Sequence, residues 1–288
     1  MATTSAIRTY VPWMLFCSCA VLLLKRTPRD DASFNSADVQ PPRDNSSSRV
    51  EPNPAASHRD LIDLSKELSF LPYDSRNCSS FNSTGFVWPE GYSKATEEHQ
   101  KAIDGNWKLE GHSGEGSKLV QQMVYVKLAQ LPFVNTICET GFNAGHSTLI
   151  WLASKANTRV YSFDLGDHVY AKYMADYLKT KHPGRLTVTW GDTMKTLPAF
   201  AKEHPEVQCD LIIVDGGHTF KVAAHDIETF HKMANSRNVL VFDDHPSKFG
   251  WSKNAGRAWE LQIRRGITSE LFGCQMSVGG FSLGRFLF

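Results

Sequence analysis

The sequence lacks a basic excess: Lys and Arg number 31 against 30 Asp and Glu. Proteins that track nucleic-acid phosphates show a basic surplus or stripe, so nucleic acid is not an expected partner. Metal-type cysteine spacing is also missing. The six Cys include no CxxC pair and no Cys/His zinc pattern. Cys17 and Cys19 lie in an apolar run, Cys78 in a polar stretch, and Cys138, Cys209 and Cys274 beside predicted strands. The expectation is small buried hydrophobes, not a disulfide framework. No internal repeat is visible, which excludes a solenoid. No apolar run reaches the ~20 residues that span a bilayer comfortably.

The nearest approach to such a run is Val11–Leu24, fifteen residues when Tyr10 is counted. Arg8 precedes it; Lys25, Arg26 and Arg29 follow. Ser18-Cys19-Ala20 is a poor cleavage site because it lies inside the apolar run. Residues 1–26 are therefore expected to be a signal anchor of a thin secretory-pathway membrane (ER or Golgi), or a signal peptide of a secreted protein if cleaved. The positive flank on the C-terminal side favours a cytoplasmic catalytic domain. Three sequons, at Asn45, Asn77 and Asn82, favour a lumenal glycoprotein, and the lumenal reading is preferred. Residues 27–58 are polar and proline-rich, too poor in aliphatic side chains to offset chain entropy, and read as a flexible stem. Residues 59–112 read as a helical and loop extension: Arg59–Ser69 carries helical apolar spacing, and Tyr73–Tyr92 is an ordered loop.

From 113 to 288 the pattern alternates. Helical spacing over Ser117–Gln130, Ser147–Ala156, Val169–Lys181, Met194–His204, Phe220–Ala234 and Gly256–Arg265 separates short apolar runs at Val134–Glu139, Arg159–Asp164, Leu186–Trp190, Asp210–Asp215 and Asn238–Asp243. Strands separated by helices imply an α/β fold with a doubly wound, mostly parallel sheet. Ile267–Cys274 and Phe281–Phe288, around Gly279-Gly280, complete seven strands as a C-terminal antiparallel hairpin. Glu139, Asp164, Asp215 and Asp243 end strands and Asp192 follows Gly191, so all five are expected on one rim, where such sheets bind ligands.

Glu139-Thr140-Gly141-Phe142-Asn143-Ala144-Gly145 follows a strand and opens a helix. Its glycines permit a sharp turn and close approach. The helix N-terminus offers free N–H groups, to which His146 and Ser147 add side-chain donors. Asp164 is placed to accept from ribose hydroxyls. The spacing is ExGxxxG, whereas a dinucleotide enzyme more often shows GxGxxG.

Residues Ser113–His245 resemble the class I S-adenosylmethionine-dependent methyltransferases. They are most similar to the metal-dependent O-methyltransferases of caffeoyl-CoA and catechol type and to related sugar O-methyltransferases. The resemblance implies a Rossmann-like fold and a cofactor site in which Glu139, Gly141 and Ser147 contact the methionine and ribose parts. It places Asp164 on the ribose and Gly191 and Asp192 beside the adenine, with Asn143, Gly145 and His146 completing the loop. Ser113-Gly114-Glu115-Gly116 resembles a segment that closes over the cofactor; His112 beside it reads as a surface residue.

Asp215-Gly216-Gly217-His218 and Asp243-Asp244-His245 end the fourth and fifth strands. Three carboxylates brought together repel and raise one another's pKa. A hard cation with oxygen ligands, Mg²⁺ or Mn²⁺, removes that cost. The family resemblance likewise implies a metal on Asp215, Asp243 and Asp244. The alternative is that the trio caps helices and binds Arg257 or Lys248. His218 is the candidate general base, since an imidazole's ordinary pKa of about 6.5 suits proton removal at neutral pH; Asp215 is the second catalytic candidate and His245 a bystander. The catechol-type catalytic Lys has no clear counterpart, Lys221 being the nearest, which puts phenolic acceptors in doubt. Phe249, Trp251 and Trp259 are candidates for an acceptor wall, with core packing the alternative for Trp259. The expected activity is O-methylation of a small-molecule or glycan acceptor. The alternatives are a metal-independent methyltransferase and a membrane-anchored cofactor-binding module without turnover. Oligomeric state is not legible.

Overall fold

A computed structural model of the chain describes residues 85–103, 107, 109, 118–247, 249–276 and 279–288. The expected anchor, stem, sequons and Arg59–Ser69 helix lie outside these residues, as do His112, Ser113 and Lys248. Among the described residues no helix is long and apolar enough to cross a membrane.

The element order is α1 (Tyr92–Ile103), α2 (Leu119–Ala129), β1 (Thr136–Thr140), α3 (His146–Ser154), β2 (Arg159–Asp164), α4 (Val169–Lys181), β3 (Leu186–Trp190), α5 (Thr193–Glu203), β4 (Cys209–Val214), α6 (Phe220–Met233), β5 (Ala234–Asp243), α7 (Lys253–Arg264), β6 (Thr268–Gln275) and β7 (Gly280–Phe286). The seven strands form one sheet in the order β3-β2-β1-β4-β5-β7-β6. The first five run parallel, and β7 is antiparallel to both β5 and β6.

The central strands are buried on both faces, which is why CDLIIV of β4 carries no alternation of polar and apolar residues. Ile137, Leu211, Ile213 and Val241 face Val124, Leu128, Trp151 and Met174 of the helices on one side. Ile212, Val214 and Phe242 face Leu197, Ile227, Phe230 and Trp259 on the other. Helix starts follow local chemistry. Asp192 caps α5 by accepting from the Met194 N–H at 3.0 Å, and Thr219 caps α6 by accepting from Val222 N–H at 3.2 Å.

One expectation needs correction, and one open alternative is decided in favour of core packing. Cys138 and Cys209 are buried, but as a disulfide that joins β1 to β4 across a sequence separation of 71; Cys274 is disulfide-bonded too. Trp259 is a core residue: it is fully buried, its ring stacks on Phe242 with centroids 5.2 Å apart, and its Nε1–H donates to Glu270 at 2.6 Å. It forms no acceptor wall.

Candidate active site

The strand order reverses between β1 and β4, and the C-terminal ends of parallel strands diverge at such a point to leave a crevice. A cleft of about 910 Å³ opens there. The turn after β1 forms one wall. Gly141 has φ +91°, and a Cβ on it would lie 1.9 Å from the Asp215 carbonyl oxygen, so only glycine fits. That contact lets the β1 turn lie directly on the β4 turn; Asp215 N–H also donates to the Thr140 carbonyl at 3.1 Å. Among the described residues, Asn143, at φ +49°, is one of two non-glycine residues of positive φ, and Asp244, at φ +66°, is the other. Both line the cleft, in keeping with the tendency of backbone strain to collect at functional sites.

Asp164 at the end of β2 holds the turn. One carboxylate oxygen accepts from Asn143 N–H at 2.9 Å, the other from Gly166 N–H at 2.7 Å. From outside, His99 of α1 bonds through Nε2 to the Ala144 carbonyl at 3.0 Å, and its ring meets the edge of His146. Burial lowers both imidazoles to about 4, so both are neutral at physiological pH.

The opposite wall carries the acids. Asp215, Asp243 and Asp244 offer ligand oxygens all within 4.8 Å of one another. Burial, then the charges of Asp243 and Asp244, holds the Asp215 carboxyl well above the carboxylate range. Burial raises Asp244 as well, against the hydrogen bond from His218. That bond runs from Nδ1 to Asp244 Oδ2 at 2.8 Å and leaves Nε2 as the imidazole's second nitrogen. Asp243 is met from α2: Gln121 Nε2–H donates to Oδ1 at 2.5 Å, and the Lys118 ammonium lies 3.7 Å from Oδ2. Burial alone would depress Lys118; the charges of Asp243, Asp215 and Asp244 outweigh it and raise its pKa.

A family model described as a methyltransferase domain matches residues 138–245. Over those residues, fewer than half of the chain, the sequence resembles a methyltransferase domain. Solved structures share the fold at low identity. The cofactor-bound Rv0187 from MTB is 17% identical with a TM-score of 0.54, covering 71% of this chain and 93% of that one. TomG of Streptomyces achromogenes, an O-methyltransferase in complex with SAM, is 18% identical with a TM-score of 0.53, covering 76% and 100%. The SAH-bound methyltransferase PaMTH1 of Podospora anserina is 12% identical with a TM-score of 0.53, covering 70% and 89%. No curated protein matches the sequence.

The cleft is lined by Gly141, Asn143, His146, Ser147, Asp164, Gly191, Asp192, Asp215, His218, Asp243 and Asp244, which the sequence had nominated. Glu139 and Gly145 are not on its wall. The Glu139 carboxylate is turned into the protein, where it accepts from Ser147, Thr148, Trp151 and Ser162. Burial raises it against those four donors. It braces the start of α3 against β1 and β2. Gly145, at φ +78°, abuts Leu178 and Phe142 and serves as the turn before α3. Among the described residues neither Arg257 nor any other arginine lines the cleft; Arg257 lies over the Phe220 ring, 6.0 Å from its centroid. His245 sits behind the acids, Nδ1 2.9 Å from Ser282 Oγ. Phe249 is not on the cleft wall, and the Trp251 side chain lies outside the description.

Sequence reasoning missed Lys118, Gln121 and Tyr125. They stand at i, i+3 and i+7, a helical repeat that put one face of α2 towards the cleft and was read only as apolar spacing. It also missed α1 and its His99.

Proposed function

We propose that this chain transfers the methyl group of S-adenosylmethionine to a hydroxyl of a small-molecule or glycan acceptor. One observation carries the reading. Among the described residues lining the cleft are six aspartates (164, 167, 192, 215, 243 and 244) against a single lysine and no arginine. Such a cleft favours cationic ligands and disfavours the paired phosphates of a dinucleotide. A sulfonium donor meets that condition, and the neutral His146 adds no opposing charge. Asp164 faces the ribose and Gly191 and Asp192 the adenine, in keeping with the family resemblance.

His218 is the general base. Asp244 holds Nδ1, so Nε2 takes the proton from the acceptor hydroxyl. The acceptor oxygen then takes the methyl carbon, and the sulfonium leaves as a neutral thioether. Much of the rate comes from holding the two reactants in line. The donor set of three clustered carboxylates fits Mg²⁺ or Mn²⁺. Such an ion, on Asp215, Asp243 and Asp244, would supply Lewis-acid polarisation of the acceptor hydroxyl. A metal-independent reading is favoured by the partners the acids already have in Lys118, Gln121 and His218.

Calorimetry with S-adenosylmethionine is expected to give saturable binding; none at millimolar cofactor would remove the enzyme reading. Chelation with EDTA is expected to abolish turnover. Activity that survives complete chelation transfers the conclusion to the metal-independent reading.

The Cys138–Cys209 disulfide supports an oxidising compartment, since cytosolic thiols are kept reduced. With the apolar segment and the three sequons, it supports a membrane-anchored, lumenal enzyme of the secretory pathway. Digestion of the expressed protein with an N-glycosidase is expected to increase its gel mobility; an unchanged position counts against the lumen.

A further inference from the structure

We propose that Lys118 is a tethered counter-ion of the acidic trio, which a divalent metal must displace, so that α2 sets the affinity of the metal site. The inference rests on the metal reading above. Lys118 is the only Lys or Arg among the described residues lining the cleft, and its side chain keeps 19% of its exposure. It does not stand there alone. Gln121 and Tyr125 lie on the same face of α2, with Gln121 Nε2–H donating both to Asp243 Oδ1 at 2.5 Å and to the Tyr125 hydroxyl at 2.7 Å. One helix face therefore brings an ammonium and an amide to both oxygens of Asp243, while His218 takes an oxygen of Asp244. Protein donors thus meet two of the trio's three members, Asp243 and Asp244.

A like charge a few ångströms from a bound cation is repulsive, and a cleft wall screens it less than water does. A divalent ion on these three aspartates must therefore push the Lys118 ammonium off Asp243. Lysine suits that role because its four-carbon stem is flexible and its charge is not locked to a planar fork. The same displacement ties the site to the start of α2.

The test uses the full chain, with Mn²⁺ alone as the probe and the free-Mn²⁺ electron paramagnetic resonance signal as readout. Lys118→Met is expected to bind Mn²⁺ tighter than the wild type by roughly tenfold or more. Lys118→Arg, which keeps the charge, is expected to stay near the wild type. Thermal unfolding of each variant establishes that it is folded. A wild type that binds no Mn²⁺ beside a Lys118→Met that does is the extreme of the expected result. Equal or weaker binding by Lys118→Met overturns the counter-ion role and leaves the metal site standing. No binding by either protein at millimolar Mn²⁺ overturns both.

Discussion

Replacing His218 with alanine is expected to lower the rate of methyl transfer by about 10²–10⁴-fold, the usual contribution of a positioned acid or base. S-Adenosylmethionine affinity should stay close to that of the wild type, because the wall proposed to face the cofactor is built from β1 and β2. The size of the effect follows from geometry. His218 is half exposed at the cleft mouth, and its Nδ1 is 2.8 Å from a buried carboxylate. That carboxylate fixes the tautomer, so the nitrogen that faces the acceptor is the basic one. The alanine variant should regain part of its rate when free imidazole is added, and the rescue should grow with pH as imidazole loses its proton. Asp244→Asn separates orientation from proton removal: an amide can hold the ring but favours the wrong tautomer some of the time. A His218→Ala enzyme within threefold of the wild-type kcat would remove the histidine from the chemistry.

The parallel part of the sheet was legible because its strands are short apolar runs with an acid at or just beyond their ends. Arg159–Asp164, Val169–Lys181 and Leu186–Trp190 have the same ends in the structure as in the pattern. β5 starts four residues earlier than the apolar run does. Ala234 pairs with Cys209, and the ladder then shifts register before Val239 meets Leu211; the polar Asn235, Ser236 and Arg237 carry no strand signal. Helix α1 was not legible. Its buried residues, Tyr92, His99 and Ile103, are separated by seven and four positions in an otherwise polar segment, too sparse for a periodic signal.

The site was legible as a list and less so as an orientation. Glu139 and Asp215 both belong to strand ends, yet one carboxylate points into the protein and the other into the cleft. Successive side chains alternate sides along a strand, and the direction of the last one depends on how the following turn leaves. At β1 the first turn of α3 supplies donors from Ser147 and Thr148, which draw Glu139 inward. At β4 the chain continues through Gly216-Gly217, which offers no side chain to compete. The helix that neutralises Asp243 lies 122 residues away in sequence at Gln121, a distance across which no local pattern reports.

Removing the Cys138–Cys209 disulfide is expected to cost about 4 kcal/mol of stability, from the loop-closure entropy of a 71-residue separation. For a domain of this size that corresponds to a fall in Tm of about 10 °C. Here the strand order makes the bond possible: β1 and β4 are sequence-distant but adjacent at the point where the sheet reverses. It crosses the same boundary that the cleft crosses, with Cys138 directly before Glu139 and β4 running on to Asp215. Loss of the bond should therefore loosen the register of the cofactor turn against the acid-bearing turn, and S-adenosylmethionine affinity should fall with stability. The decisive measurement is a double-mutant cycle on thermal unfolding. If the two sulfurs are bonded, Cys138→Ala, Cys209→Ala and the double variant lose nearly the same stability, because the first substitution already removes the bond. If they are two separate buried thiols, the losses add, each is the small loss of one sulfur's packing, and dithiothreitol leaves the wild-type Tm unchanged. The additive outcome would also remove this bond from the argument for an oxidising compartment.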